Sequence, residues 1–220
     1  MLIKVNNNIE LFYEKRGKGA PLLLLHGNGE THRIFDKIAK KLENEFTIYS
    51  IDSRNHGESQ KTSNFSYEVM TEDIYNFIEE LNLGKVRVLG FSDGAIISLM
   101  LAMKDMNVLE KMMLLGINLK PEDFTDENLS YLKETFEETK DPLIELMLNE
   151  PNIELDDVKE ITTPTLIVAA ENDLFKQEIF YNLKEAMPNA ELKIMKGHEH
   201  DTYLIDSDLL YDDAVKFLSE

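Results

Sequence analysis

Gly90-Phe91-Ser92-Asp93-Gly94 sets a serine between two glycines, directly after the apolar run Val86–Leu89 and directly before another, Ala95–Met103. Where a strand turns sharply into a helix, backbone and helix approach closely on both sides of the turn residue, and glycines remove the side chains that would collide. The spacing therefore predicts a Ser92 hydroxyl lifted clear of a sheet. A serine hydroxyl reacts only when a base takes its proton and an acid orients that base, so a histidine and a carboxylate must come from elsewhere in the chain. Of the five histidines, His198 and His200 stand together in Gly197-His198-Glu199-His200-Asp201. Imidazoles alternating with carboxylates also suit zinc or non-haem iron. A metal centre of H-x-H-x-D type needs further ligands downstream, however, and no histidine follows Asp201, so His26, His32 or His56 would have to converge on it by folding.

The elements that would hold such a site alternate along the chain. Pro21–His26, Thr47–Asp52, Val86–Gly90, Met112–Gly116 and Thr165–Ala169 are continuous apolar runs, as expected of strands covered by helices on both faces, and Leu192–Met195 is a sixth. Between them Ile34, Ile38 and Leu42, and then Met70, Ile74, Phe77, Ile78 and Leu81, recur at helical spacing and mark buried helix faces. This alternation predicts an α/β fold with a mostly parallel central sheet and helices on both faces. Leu2–Val5 and Ile9–Glu14, separated by Asn6-Asn7-Asn8, predict an antiparallel N-terminal hairpin, since Asn tolerates left-handed turn geometry. Residues 119–160 break the rhythm. They contain no strand-like run, but Thr125 and Asp141-Pro142 are helix start signals, and Leu155, Val158 and Ile161 are spaced three apart. Three short helices are expected there, inserted into a core of residues 1–118 and 161–220.

The strand–G-x-S-x-G–helix unit resembles the nucleophile elbow of the α/β-hydrolase superfamily, and the resemblance extends along the whole chain in the expected order. His26-Gly27-Asn28-Gly29 closes an earlier apolar strand where that family has its oxyanion loop. The resemblance implies that the backbone N–H groups of Asn28 and Asp93 form the oxyanion hole. Asp52-Ser53-Arg54-Asn55-His56-Gly57-Glu58-Ser59 is similar to a second family signature, D-x-R-G-x-G-x-S, departing from it at Asn55, and implies structural roles for Asp52, Arg54 and His56. In this family the acid follows the serine and the histidine comes last. Glu171-Asn172-Asp173, after the strand at 165–169, is where the resemblance puts the acid; Asp173 matches the position best, and Glu171 is the alternative. For the base, the family spacing counted from Met195 favours His200, whereas the glycine that often precedes the family histidine favours His198. The catalytic triad implied is Ser92, Asp173 and His200, with no cofactor or metal required.

Lys and Arg total 23 against 42 Asp and Glu, a net charge of −19 that repels phosphate backbones and anionic lipid. Partners are therefore expected to be small-molecule substrates, with no nucleic acid and no membrane. With 220 residues, of which 43% are hydrophobic, one domain with an embellishment can form a sizeable core. Cysteine is absent, which excludes thiol catalysis and disulfides; with no apolar signal stretch at the start, a cytoplasmic location is expected. Nothing in the sequence bears on oligomeric state. Leu129, Leu132, Phe136, Leu143, Ile144 and Met147 give residues 119–160 an apolar face that suits either core packing or a short lid over small or medium hydrophobic acyl groups. The expected function is a serine hydrolase of carboxylesterase type acting on neutral or hydrophobic esters. Carbon–carbon bond hydrolysis, amide hydrolysis or acyl transfer by the same triad, and a binding or signalling module without turnover, are the alternatives.

Overall fold

Leu22 to Leu25 are all fully buried because each of their two faces meets a separate apolar layer. Leu23 and Leu25 pack into one cluster with Met70, Ile74 and Phe77; Leu22 and Leu24 pack into another with Phe35, Ile38 and Leu42. This two-sided burial is what a continuous apolar run produces in a parallel sheet. The computed structural model describes residues 1–5 and 9–219, so the expected Asn6–Asn8 turn lies outside the described residues.

The strands are β1 (Leu2–Val5), β2 (Ile9–Gly17), β3 (Ala20–Leu25), β4 (Phe46–Ile51), β5 (Val86–Phe91), β6 (Leu109–Leu115), β7 (Thr165–Asn172) and β8 (Ala190–Glu199), in the sheet order β1-β2-β4-β3-β5-β6-β7-β8. β1 and β2 pair antiparallel, as do β2 and β4, and all later neighbours are parallel. Helices α1 (Asp36–Leu42) and α7 (Tyr211–Ser219) cover one face; α2 (Tyr67–Glu80), α3 (Asp93–Asp105) and α6 (Gln177–Ala186) cover the other. Between β6 and β7 come α4 (Asp126–Thr139) and α5 (Pro142–Asn149), followed by a 3₁₀ turn over Leu155–Val158. Thr125 caps α4 through Asn128 N–H, and Asp141 caps α5 through Leu143 N–H, as their start signals require.

Several strands run beyond their apolar stretches: β2 continues to Gly17 and β7 to Asn172, and β6 and β8 are longer than their apolar runs as well. β6 begins at Leu109, which pairs with Val86 of β5, and the polar residues this adds are partnered: Lys111 donates to the Phe217 carbonyl at the end of α7, while Arg87 on β5 bonds the Leu218 carbonyl and pairs with Glu110 at 2.9 Å. β8 has no fully buried residue along its length, so its extent is set by pairing with β7 and is invisible to an apolar pattern. The chain reverses direction across the sheet at β3, which lies between β4 and β5. In open α/β sheets the crevice at the strand carboxyl ends beside such a switch point is where ligands bind. His26-Gly27-Asn28 and Ser92 flank it. Among the described residues, no helix is long and apolar enough to cross a membrane.

Candidate active site

Ser92 joins β5 to α3 with φ 52° and ψ −114°. L side chains rarely adopt this conformation, which costs on the order of 1–3 kcal/mol. Both glycines are needed for it. A Cβ on Gly90 would stand 2.2 Å from the Gly94 carbonyl oxygen, and one on Gly94 would stand 2.0 Å from that of Leu25. The strained residue is fastened by its own N–H to the Leu115 carbonyl at 2.8 Å and by its carbonyl to the N–H groups of Ala95 and Ile96. Ser92 lines a cavity of about 290 Å³ together with Gly27, Asn28, Glu30, His200 and Asp201, with Phe124, Leu132 and Met147 supplying apolar wall.

His200 follows β8 and Asp173 follows β7, and the structure brings them together: His200 Nδ1 lies 2.7 Å from Asp173 Oδ1. The other Asp173 oxygen accepts the Ala170 N–H at 3.0 Å, which fixes the carboxylate, and its side chain is fully buried. The imidazole is caged by rings and by a missing side chain. Phe91 stacks at a tilt with centroids 4.9 Å apart, Phe175 meets it edge-on at 5.4 Å, and a Cβ on Gly116 would lie 2.6 Å from His200 Cε1. The competing residues stand elsewhere. Glu171 is exposed and accepts the Gly197 N–H at 2.8 Å, while His198, at the end of β8, faces the Thr202 hydroxyl at 3.1 Å. Ser92 and His200 share the cavity wall, and no hydrogen bond joins their side chains.

The loop after β3 packs directly on the serine, since a Cβ on Gly27 would stand 3.0 Å from Ser92 Cβ. The backbone N–H groups of Asn28 and Asp93 make no hydrogen bond among the described residues, whereas Gly27 and Gly29 on either side of Asn28 donate to Glu30 Oε2 and His56 Nε2, both at 3.0 Å. The turn is closed by Glu30, whose half-buried carboxyl is pushed up to about 7 by burial, against the Gly27 N–H and His200, which pull it down. Glu30, Gly116, Phe91 and Phe175 were not legible as site residues; Glu30 alone carries a local signal, an acceptor three residues after Gly27. Asp93 is buried, and burial raises its pKa even though Tyr67 and Asn28 hydrogen-bond its carboxylate.

The second loop holds the first. His26 accepts the Ser53 N–H at Nε2 (3.0 Å), with Nδ1 2.8 Å from the Gly27 carbonyl; His56 accepts the Gly29 N–H, with Nδ1 2.9 Å from the Arg54 carbonyl. Complete burial, then repulsion by His56, hold the His26 pKa down at about 4, so this ring is neutral and cross-links two loops. Arg54 makes a two-pronged buried ion pair with Asp73 at 2.5 Å, and Asp52 accepts from the His32 and Glu58 N–H groups. Asn55 takes φ 67°, the left-handed conformation for which a glycine is otherwise used. Among the described residues no three His, Cys, Asp or Glu side chains are grouped so as to hold a metal ion.

A family model described as the alpha/beta hydrolase fold matches residues 20–146. Among characterised proteins, the chain is 30% identical over 116 residues to the sn-1-specific diacylglycerol lipase of Danio rerio, a match covering 52% of this chain and 36% of that protein. It is 32% identical over 97 residues to ethanol acetyltransferase 1 of Hanseniaspora uvarum, covering 43% and 29%. These matches span about a third of the length of those relatives. Among solved structures, an esterase from Exiguobacterium antarcticum superposes with a TM-score of 0.87 at 19% identity, over 100% of this chain and 99% of that one. A variant of a meta-cleavage product hydrolase superposes at 0.83 with 18% identity, over 100% and 97%. At these identities the structural likeness is one of fold.

Proposed function

The chain belongs to the alpha/beta hydrolase fold family, and on that premise we propose that it is a serine hydrolase cleaving small-to-medium, neutral or hydrophobic esters through an acyl-serine intermediate. The observation that carries this reading is that the strained Ser92 opens into the same cavity as the imidazole fastened to Asp173. His200 takes the Ser92 proton as the oxygen attacks the ester carbonyl, and Asp173 steadies the imidazolium that forms. The tetrahedral oxyanion is received by the free N–H groups of Asn28 and Asp93, a pair worth about 3 kcal/mol or more per donor in such sites. His200 then protonates the departing alcohol and activates water against the acyl enzyme.

The cavity supports the substrate size. At about 290 Å³ it stands at the small end of ligand pockets, and Phe124, Leu132 and Met147 offer apolar surface to an acyl chain. Two of those three belong to α4 and α5, which supports residues 119–160 as a short helical lid on the core. Glu30 and Asp201 in the lining disfavour an anionic acyl group. The likeness to an acetyltransferase favours one second reading, in which an alcohol replaces water as acceptor of the same acyl group. A fluorophosphonate probe and p-nitrophenyl esters of graded acyl length, applied to the parent and to Ser92→Ala, test both. Hydrolysis and labelling that vanish together in Ser92→Ala are expected. Labelling with turnover only when an alcohol is added would favour transfer, and neither labelling nor turnover would refute the proposal.

A further inference from the structure

Asn28 enters the proposed reaction through its backbone N–H alone, yet its side chain is the better connected part. Its Nδ2 donates to Asp93 Oδ2 at 3.0 Å and to the Leu143 carbonyl oxygen at 3.2 Å. The other oxygen of that carboxylate, Asp93 Oδ1, accepts from the Tyr67 hydroxyl at 2.7 Å, and the Tyr67 backbone N–H donates to Glu150 Oε2 at 2.9 Å. Leu143 is in the first turn of α5 and Glu150 directly follows its end. The two residues with free N–H groups are therefore linked side chain to side chain across 65 positions of sequence, and the link is anchored at both ends of one helix.

A carboxylate at this place pays for desolvation and repels a developing oxyanion, so its chemistry favours a structural use over a direct one. Two donors must converge on one oxygen to within roughly 0.5 Å to be effective, and here one sits on the loop after β3 while the other opens α3 after β5. We propose that the Asn28 side chain, through Asp93, is a positioning group that aligns the two oxyanion-binding amides and makes that alignment depend on the seating of α5. This rests on the serine-hydrolase reading above. Asn28 serves because it can donate to two acceptors at once, and Asp93 because it can accept from Asn28 and Tyr67 on separate oxygens.

The test is a pair of variants and their combination. Asn28→Asp removes the donor and opposes two carboxylates. Adding Asp93→Asn restores one hydrogen bond with donor and acceptor exchanged, and leaves an oxygen for the Tyr67 hydroxyl. Asn28→Ala, at a half-exposed position, serves as the milder change should the charged one unfold. We would measure kcat and KM for p-nitrophenyl acetate per Ser92 titrated by fluorophosphonate, alongside thermal melting. The expected result is a kcat lowered about tenfold to a hundredfold in Asn28→Asp and about tenfold in Asn28→Ala, with KM little changed and most of the loss recovered in the combined variant. A merely structural role would lower melting temperature and the titratable fraction while leaving kcat per titrated site intact, and that result would overturn the proposal. So would a combined variant no better than Asn28→Asp. A parent protein that is neither labelled nor active would sink the hydrolase reading and this inference with it, whereas an active parent with indifferent variants would sink this inference alone.

Discussion

Gly116→Ala places a methyl group against the imidazole. The new Cβ would stand 2.6 Å from His200 Cε1 and 2.9 Å from Nδ1, at a residue whose φ is +56°. Carbon atoms rest at about 3.5 Å or more, so the ring must retreat by roughly 1 Å. It cannot do so freely, because Phe91 and Phe175 pack on it and Asp173 holds Nδ1. A misplacement of about 1 Å in a reacting group costs on the order of a hundredfold in rate. Stability suffers less. A left-handed alanine costs about 1–2 kcal/mol and overpacking about 1–3 kcal/mol, out of the roughly 5–15 kcal/mol typical of a folded domain. Gly84→Ala is the matched control, since Gly84 has φ +68° with no atom within 4 Å of the added Cβ. Ester hydrolysis per titrated Ser92, set beside thermal melting, should show both variants destabilised and only Gly116→Ala about a hundredfold slower. Hydrolysis by Gly116→Ala within about threefold of the parent would refute the view that the cage around His200 sets its reactive position.

Replacing His200 with Ala should abolish ester hydrolysis while replacing His198 leaves most of it, as initial rates on p-nitrophenyl acetate would show; the reverse pattern would shift the base to His198. Stability should carry two opposed pH signatures. His26 has a folded pKa near 4 against an ordinary 6.5, so its contribution is complete above 6.5 and is lost as pH falls toward 4, a change of about 3 kcal/mol that His26→Gln should abolish in urea titrations. Glu30 has a folded pKa near 7 against 4.5, so it favours the fold at low pH and costs stability as pH rises through 7; Glu30→Gln should therefore gain about 1–2 kcal/mol over the parent between pH 5 and pH 8. A carboxylate-bearing ester should show a lower kcat/KM than its neutral isostere at low salt, and equal values would remove the role given to Glu30 and Asp201.

What could be read from the sequence was whatever a local steric demand imposes. Gly90 and Gly94 announce the turn because any side chain there would strike backbone, and Leu22–Leu25 announces a strand covered on both faces because every side chain in the run is apolar and must be buried. The left-handed Asn55 likewise follows from what Asn tolerates. The cage of His200 was invisible, because Phe91, Gly116 and Phe175 come from three different strand ends and meet only once the sheet is assembled. The side-chain link from Asn28 to Asp93 was hidden similarly, since each residue reads locally as a backbone donor beside a glycine. The boundaries of β6 and β8 ran past their apolar cores because strand pairing and the carbonyls closing α7 accept polar side chains that periodicity discounts.

Mixing the protein with p-nitrophenyl acetate, quenching in acid within the first turnovers and locating the acetyl group by peptide mass spectrometry would look straight at the intermediate. The acetyl group should sit on Ser92, accumulate in His200→Ala only at a greatly reduced rate, and be absent from Ser92→Ala. Acetylation at any other residue, or turnover with Ser92 never modified, would contradict a nucleophilic serine at the switch point of this sheet.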